Sequence, residues 1–123
     1  MKILVVDDEK DIEPLFNQKF RPELKNNKLR FEFAFSGEDA VKYLSEKNVS
    51  DIVLILSDIN MPGMNGFELL EKIKDKFPQI KVFMITAYDD DEKQKKASKL
   101  GADMYLTKPI NFENLKKEIF KNV

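Results

Sequence analysis

Asp7, Asp8, Asp58, Thr86 and Lys108 are the residues of this chain whose types and spacing could do chemistry together. Each follows or closes a short apolar run: Lys2–Val6 before Asp7 and Asp8, Ile52–Ser57 before Asp58, Lys81–Ile85 before Thr86, and Asp103–Thr107 before Lys108. If these runs lie side by side in a parallel sheet, their ends share one edge, and that edge is where open α/β sheets bind ligands. It would then carry three carboxylates, a hydroxyl and an ammonium. Carboxylates this close cannot all be ionised comfortably without a cation. Oxygen-only ligands suit Mg2+, which keeps several of its waters. Lys108 and the cation together could hold an anion with three spread oxygens, and Thr86 could donate to one of them. That is a phosphoryl-group site. The chain has no His and no Cys, so the nucleophile must be a carboxylate. Asp58 is the central candidate, because it closes the most apolar run and Asp can carry a covalent phosphoryl group. Positioning and charge neutralisation would supply most of the catalysis.

Singly, each residue has a plainer reading. An acidic triplet after a strand, Asp7-Asp8-Glu9, reads as a solvated loop, Thr86 as a cap and Lys108 as a surface lysine. Pro109 reads as a turn former and Tyr105 as an edge packing residue. It is their joint placement at the ends of separate strands that carries the functional reading.

The elements that must position them follow from periodicity. Ile52–Ser57 is almost continuously apolar, as in a strand buried on both faces of a parallel sheet. Leu29–Phe35 alternates, which predicts a half-exposed edge strand. Ile12, Leu15, Phe16, Phe20 and Leu24 form a helical stripe; Pro14 fits its first turn, whereas Pro22 predicts a kink or break. Ser36 to Asp39 resembles a capping box for a second helix with Ala40, Val41 and Leu44 inward, and Asn48–Asp51 reads as a turn. Phe67, Leu69, Leu70, Ile73 and Phe77 predict a third helix, entered through Gly66 and ended by Pro78. Tyr88–Leu100 predicts a fourth, anchored only by Ala97 and Leu100 and so weakly docked, with Gly101 at its end. Asn111 can cap a fifth helix whose stripe is Phe112, Leu115, Ile119 and Val123. Strand and helix thus alternate five times. Right-handed crossovers predict an α/β doubly wound five-stranded parallel sheet with five helices on its two faces.

The 123 residues suffice for one domain, spanning 1–123. With 21 basic and 22 acidic residues the net charge is -1. That balance gives no basic footprint for direct nucleic-acid binding and no attraction to anionic membrane. Absent Cys and His remove disulfides, thiolate chemistry, histidine acid–base catalysis and the usual zinc ligands. No segment nears the roughly 18 apolar residues needed to insert into a membrane. The first residues run straight into charge, unlike a signal peptide, so a cytoplasmic location is expected.

Several segments make the chain recognisable. Val5-Val6-Asp7-Asp8-Glu9, Ser57-Asp58 through Gly66, Ile85-Thr86-Ala87, and Gly101 through Lys108-Pro109 closely resemble the receiver domain of bacterial two-component response regulators, over essentially the whole length. The resemblance implies a flavodoxin-like fold with strand order 2-1-3-4-5. It implies Asp58 as phosphoacceptor, with the phosphoryl group coming from a sensor histidine kinase or histidine phosphotransfer protein. Asp7, Asp8, Asp58 and the main-chain carbonyl of Asn60 would hold Mg2+. Thr86 and Lys108 would contact the phosphoryl group, and the Lys108-Pro109 bond would be cis. Thr86 and Tyr105 would switch position and alter the surface of the predicted fourth helix, fifth strand and fifth helix for a downstream protein target. Pro22 departs from the family pattern.

Three functional classes result. The first is a phosphorylatable signalling module that catalyses its own phosphorylation and dephosphorylation rather than turning over a substrate. The second is a scaffold with the receiver fold that acts without phosphorylation. The third, a Mg2+-dependent phosphatase, would need a pocket or cap for which the short loops leave little room. The expected form is a single-domain regulator of the chemotaxis or phosphorelay type, with a receiver domain cut from a longer regulator as the alternative.

Overall fold

The most apolar run of the chain is the middle of the sheet. In the computed structural model, which describes residues 1–46, 51–88 and 90–122, it forms β3 (Ile52–Asp58). Around it stand β1 (Lys2–Val6), β2 (Arg30–Ala34), β4 (Lys81–Thr86) and β5 (Met104–Thr107). All pairings are parallel, in the order β2-β1-β3-β4-β5. Between them run α1 (Ile12–Lys19), α2 (Arg21–Lys25), α3 (Gly37–Glu46), α4 (Gly66–Lys76), α5 (Asp91–Lys99) and α6 (Phe112–Asn122). The doubly wound α/β sheet is as the sequence pattern predicts, and its strand order is the one the family resemblance implies. The turn expected at 48–51 and the last stripe position, Val123, fall wholly or partly outside the described residues.

Helices cover both faces. One layer packs Ala40 and Leu44 of α3, Phe67, Leu69, Leu70 and Ile73 of α4, and Ala97 of α5 against Leu4, Val6, Ile55, Val82 and Met84. The other packs Ile12, Phe16, Leu115 and Ile119 against Ile3, Val5, Leu54, Leu56, Phe83 and Ile85. Leu54, Ile55 and Leu56 are fully buried, and each such side chain contributes about 1.5–3 kcal/mol relative to exposure. The central strand is therefore the least movable part of the fold, which matters because Asp58 ends it.

Three expectations need correction. The described residues hold six helices, not five. The first splits at Phe20, whose φ of -104° and ψ of 19° leave the helical region, and Pro22 then sits in the first turn of α2, where its missing N–H is not needed. Leu15, expected in the buried stripe, is exposed. The inner face of α1 is filled instead by Phe16, which stacks on Phe20 and meets Phe31 and Phe112 edge-on at 5.3 and 5.2 Å. The helix expected from Tyr88 begins only at Asp91, because the Asp90 carboxylate accepts hydrogen bonds from the N–H groups of Glu92 and Lys93 and fixes the start there.

The remaining local signals act as read. The Ser36 hydroxyl accepts from the Asp39 N–H, and Asn111 accepts from the Asn114 N–H. Gly101 takes a φ of 99° just past α5, a conformation that favours glycine.

Candidate functional site

β1 and β3 are adjacent, with Val6 paired to Ser57. The residues that follow, Asp7 and Asp58, therefore leave the sheet side by side. Each of Asp7, Asp8 and Asp58 offers a carboxylate oxygen, and these oxygens lie within 4.8 Å of one another. Asp7 and Asp58 are buried and Asp8 is exposed. Lys108 reaches in from the end of β5: its Nζ lies 3.2 Å from Asp7 Oδ2 and 3.4 Å from Asp58 Oδ2. Its main chain is fixed by a hydrogen bond from its N–H to the Thr86 carbonyl at 2.7 Å, and the bond to Pro109 is cis. The sequence-predicted cluster of three acids and one lysine is thus assembled.

The charges influence one another. Burial pushes the Asp58 carboxyl above its ordinary range; Lys108 opposes this, Asp7 adds to it, and the Asn60 backbone hydrogen bond again favours the ionised form. Burial alone would lower the Lys108 ammonium. The attraction of Asp58 and Asp7, with their hydrogen bonds, outweighs it and the net shift is upward. Lys108 is accordingly a fixed cation at neutral pH. One ammonium against three carboxylates leaves net negative charge in a half-buried space, and the donors are all oxygen. This arrangement fits a hard divalent cation.

Thr86, Asn60 and Tyr105 stand differently from the cluster. Thr86 is fully buried, and its hydroxyl accepts a hydrogen bond from the Tyr88 N–H at 3.1 Å. A hydroxyl so engaged still has its own proton to donate. Asn60 is exposed, two residues beyond Asp58, and the group it turns to the Asp58 carboxylate is its main-chain N–H. Tyr105 is half-buried on the edge strand, and its hydroxyl donates to the Tyr88 carbonyl at 3.2 Å. The peptide groups of Tyr88 therefore tie Thr86 to Tyr105. Sequence reasoning did not find this role, because it belongs to the main chain and its side chain, exposed beside Lys93, gives no signal of it.

The loop after Asp58 is shaped by close approach. A Cβ on Gly66 would lie 2.3 Å from the Asp58 carbonyl oxygen and 2.7 Å from Ile59 Cα, so glycine is required there. The Gly66 N–H bonds the Ile59 carbonyl at 2.8 Å. Asn65 and Glu68 form a reciprocal capping box at the start of α4. Glu38, on α3, accepts from the Met64 N–H at 2.9 Å. This contact spans 26 residues, and nothing local in the sequence announces it.

Residues 3–120 match the response regulator receiver domain family. A cyclic di-GMP phosphodiesterase of Thermotoga maritima is 41% identical over 119 residues, which are 97% of this chain and 30% of that protein. The chain thus spans under a third of that curated relative. A CheY-like response regulator receiver domain protein from Methanospirillum hungatei superposes with a TM-score of 0.85 at 31% identity, covering 98% of this chain and 90% of that one. The chemotaxis protein CheY4 of Vibrio cholerae gives a TM-score of 0.83 at 27% identity, with coverage of 99% and 98%.

Proposed function

The chain belongs to the response regulator receiver domain family, and from that premise we propose that it is a phosphoacceptor module whose acceptor is Asp58. The observation that carries the assignment is the packing of three carboxylates within 4.8 Å with Lys108 lodged between two of them. Phosphoryl transfer is mostly positioning and charge neutralisation, and this cluster supplies both on rigid strand ends. The domain is taken to span 1–123.

The reaction follows from the residues. An Asp58 carboxylate oxygen attacks phosphorus of a phosphohistidine on a sensor kinase or phosphotransfer protein. The new O–P bond forms as the P–N bond breaks, and the departing imidazole keeps that electron pair and takes up a proton. Lys108, already 3.4 Å from Asp58 and held protonated, would pair with the phosphoryl oxygens. Thr86, at the end of the neighbouring strand, would donate a hydrogen bond to another. Asp7, Asp8, Asp58 and the Asn60 main-chain carbonyl would hold Mg2+. When bound, Mg2+ would neutralise the charge that gathers on the transferred group. Thr86 and Tyr105 are the proposed switch, read by a downstream protein partner.

A second reading is favoured by one observation: the Thermotoga maritima relative extends well beyond the matched region. On that reading the same chemistry governs an attached output module, a cyclic di-GMP phosphodiesterase among the candidates. Intact mass of the protein from its native cells separates the two: 14.4 kDa supports a free receiver, and a larger mass supports the second.

Intact mass also tests the chemistry. Incubation with Mg2+ and acetyl phosphate should add about 80 daltons to the parent, nothing to Asp58→Asn, and nothing once a chelator is present. Failure with acetyl phosphate and with every histidine donor tried would leave the phosphorylation-independent scaffold as the better account.

A further inference from the structure

We propose that Glu38 is a positioning residue for the cation site, acting as a clasp that fixes the loop between Asp58 and α4. The inference rests on the reading of Asp7, Asp8, Asp58 and Asn60 as the Mg2+ site.

Three observations converge on it. The Glu38 carboxylate leaves the first turn of α3 and accepts the Met64 N–H at 2.9 Å. That bond, with a second to its own backbone N–H, holds the carboxyl below the ordinary carboxylate range. Gly63 makes room for it: its φ is 72°, and a Cβ there would stand 2.6 Å from Glu38 Oε2. Gly37 closes the other side, since a Cβ on it would meet Met64 Cβ and Cγ at 3.0 Å. Two glycines thus bring the start of α3 against residues 63–64, where the carboxylate meets a main-chain amide of the loop.

The consequence reaches the cation through the loop itself. Its near end is fixed to the sheet: the Ile59 N–H bonds the Ile85 carbonyl and the Gly66 N–H bonds the Ile59 carbonyl. Between them Asn60, Pro62 and Gly63 are exposed, and Met61 is buried. The Glu38 bond holds the outer turn of this segment. A charge-assisted hydrogen bond to backbone restrains position more than a neutral one, and groups that orient metal ligands from behind commonly change affinity by tenfold or more when lost. Glu38 lies away from the acidic cluster, so a weaker effect is expected here, about three- to tenfold in Mg2+ affinity.

The test uses the full chain with 15N label. Mg2+ affinity is read from amide shifts beside Asp8, and hydrogen exchange from the Met64 amide, in the parent, Glu38→Ala and Glu38→Gln. Glu38→Ala should weaken Mg2+ about three- to tenfold and speed Met64 exchange, while amides inside α3 keep their protection. Glu38→Gln, whose carbonyl oxygen still accepts, should recover most of both. Unchanged Mg2+ affinity in Glu38→Ala despite fast Met64 exchange would overturn the proposal. So would equal loss in both variants with Met64 still protected. A parent that binds no Mg2+ overturns the site reading and the proposal with it, and Met64 protection then still reports whether the clasp itself exists. Should Glu38→Ala not fold, Glu38→Gln and Gly63→Ala decide. The second displaces the carboxylate and also strains the loop at its φ of 72°, so it should weaken Mg2+ at least as much as the alanine variant; unchanged affinity there would overturn the proposal.

Discussion

Replacing Gly66 by Ala sets two effects of opposite sign against each other. Gly66 is the first residue of α4, and in a helix Ala is favoured over Gly by roughly 1 kcal/mol. Propensity alone therefore predicts stabilisation. Sterics predict the reverse. The added Cβ would lie 2.3 Å from the Asp58 carbonyl oxygen, 2.7 Å from Ile59 Cα and 2.9 Å from Met84 Cε. Met84 can turn away, but the two backbone atoms cannot, because they belong to the end of β3 and to a residue bonded to Ile85. α4 must retreat, and with it Phe67, Leu69, Leu70 and Ile73. Overpacking of this kind costs about 3 kcal/mol, and after the propensity gain about 2 kcal/mol remains, a large part of the roughly 5–15 kcal/mol that holds a domain together. For a chain of this length that is a fall of about 8 °C in Tm. The same displacement acts on the residue that carries the proposed chemistry, so phosphorylation by acetyl phosphate should slow at least ~10-fold even well below the new Tm. Calorimetry and intact mass check both. A variant as stable as the parent, or more so, would show that the loop yields freely and that Gly66 does not set the position of Asp58.

The other predictions concern charge and anchoring. Because burial raises the folded-state pKa of Asp58, the folded protein holds a proton there that the unfolded chain has already lost. Its ionised form thus destabilises the cation-free fold above that raised value, and the cost fades as pH falls toward the ordinary 3.8. Asp58→Asn should therefore raise the cation-free Tm at neutral pH, with the gain shrinking in acid; a Tm lowered at pH 7 would contradict the sign. Asp103 Oδ2 accepts from the buried Val82 N–H at 2.9 Å and from Lys74 Nζ at 3.0 Å. Asp103→Ala should cost about 2 kcal/mol in urea unfolding by stranding that donor, whereas Lys74→Met, which breaks the partly exposed pair and the Nζ bond to the Ile80 carbonyl at 3.0 Å but strands no main-chain N–H, should cost less, about 1 kcal/mol. α5 buries only Ala97 while α4 buries five residues, so α5 amides should exchange faster; equal protection would refute the weak docking.

What the sequence made legible was whatever depends on one segment at a time. β3 is an unbroken apolar run, so its burial and the exit of Asp58 from it could be read directly. The same holds for the interruption near Pro22, read as a kink or a break, and for the cap at Asn111. Once the strands were known to be parallel, Asp7, Asp58 and Lys108 had to converge. The contacts that stayed hidden are polar ties between segments far apart in the chain. Glu38 to Met64 and Asp103 to Val82 depend on which strand ends and helix starts meet, and a surface acid looks the same with or without such a partner. Leu15 was misplaced for a related reason. Its spacing fits the stripe, but five phenylalanines gathered from α1, β2, α6 and the α1–α2 junction already fill that side of the core.

The same distinction bears on how a change at Asp58 could be felt elsewhere. Thr86 is buried and its hydroxyl is engaged by the Tyr88 N–H, while the Tyr88 carbonyl receives the Tyr105 hydroxyl. A phosphoryl group drawing Thr86 toward Asp58 would have to stretch the first bond, and the peptide groups of Tyr88 would carry that strain to the second. The segment that must absorb the movement leads into α5, the long helix with the fewest buried residues, held to its neighbour in part by Lys96 over the Phe67 ring at 4.6 Å. β3, by contrast, cannot yield, being fully buried at Leu54, Ile55 and Leu56. A rigid β3 and a sparsely anchored α5 would be complementary. On the proposed function, a coupling free energy stored at the site would be delivered to the part of the surface that needs least to move, and little would be lost in deforming the strand that holds Asp58.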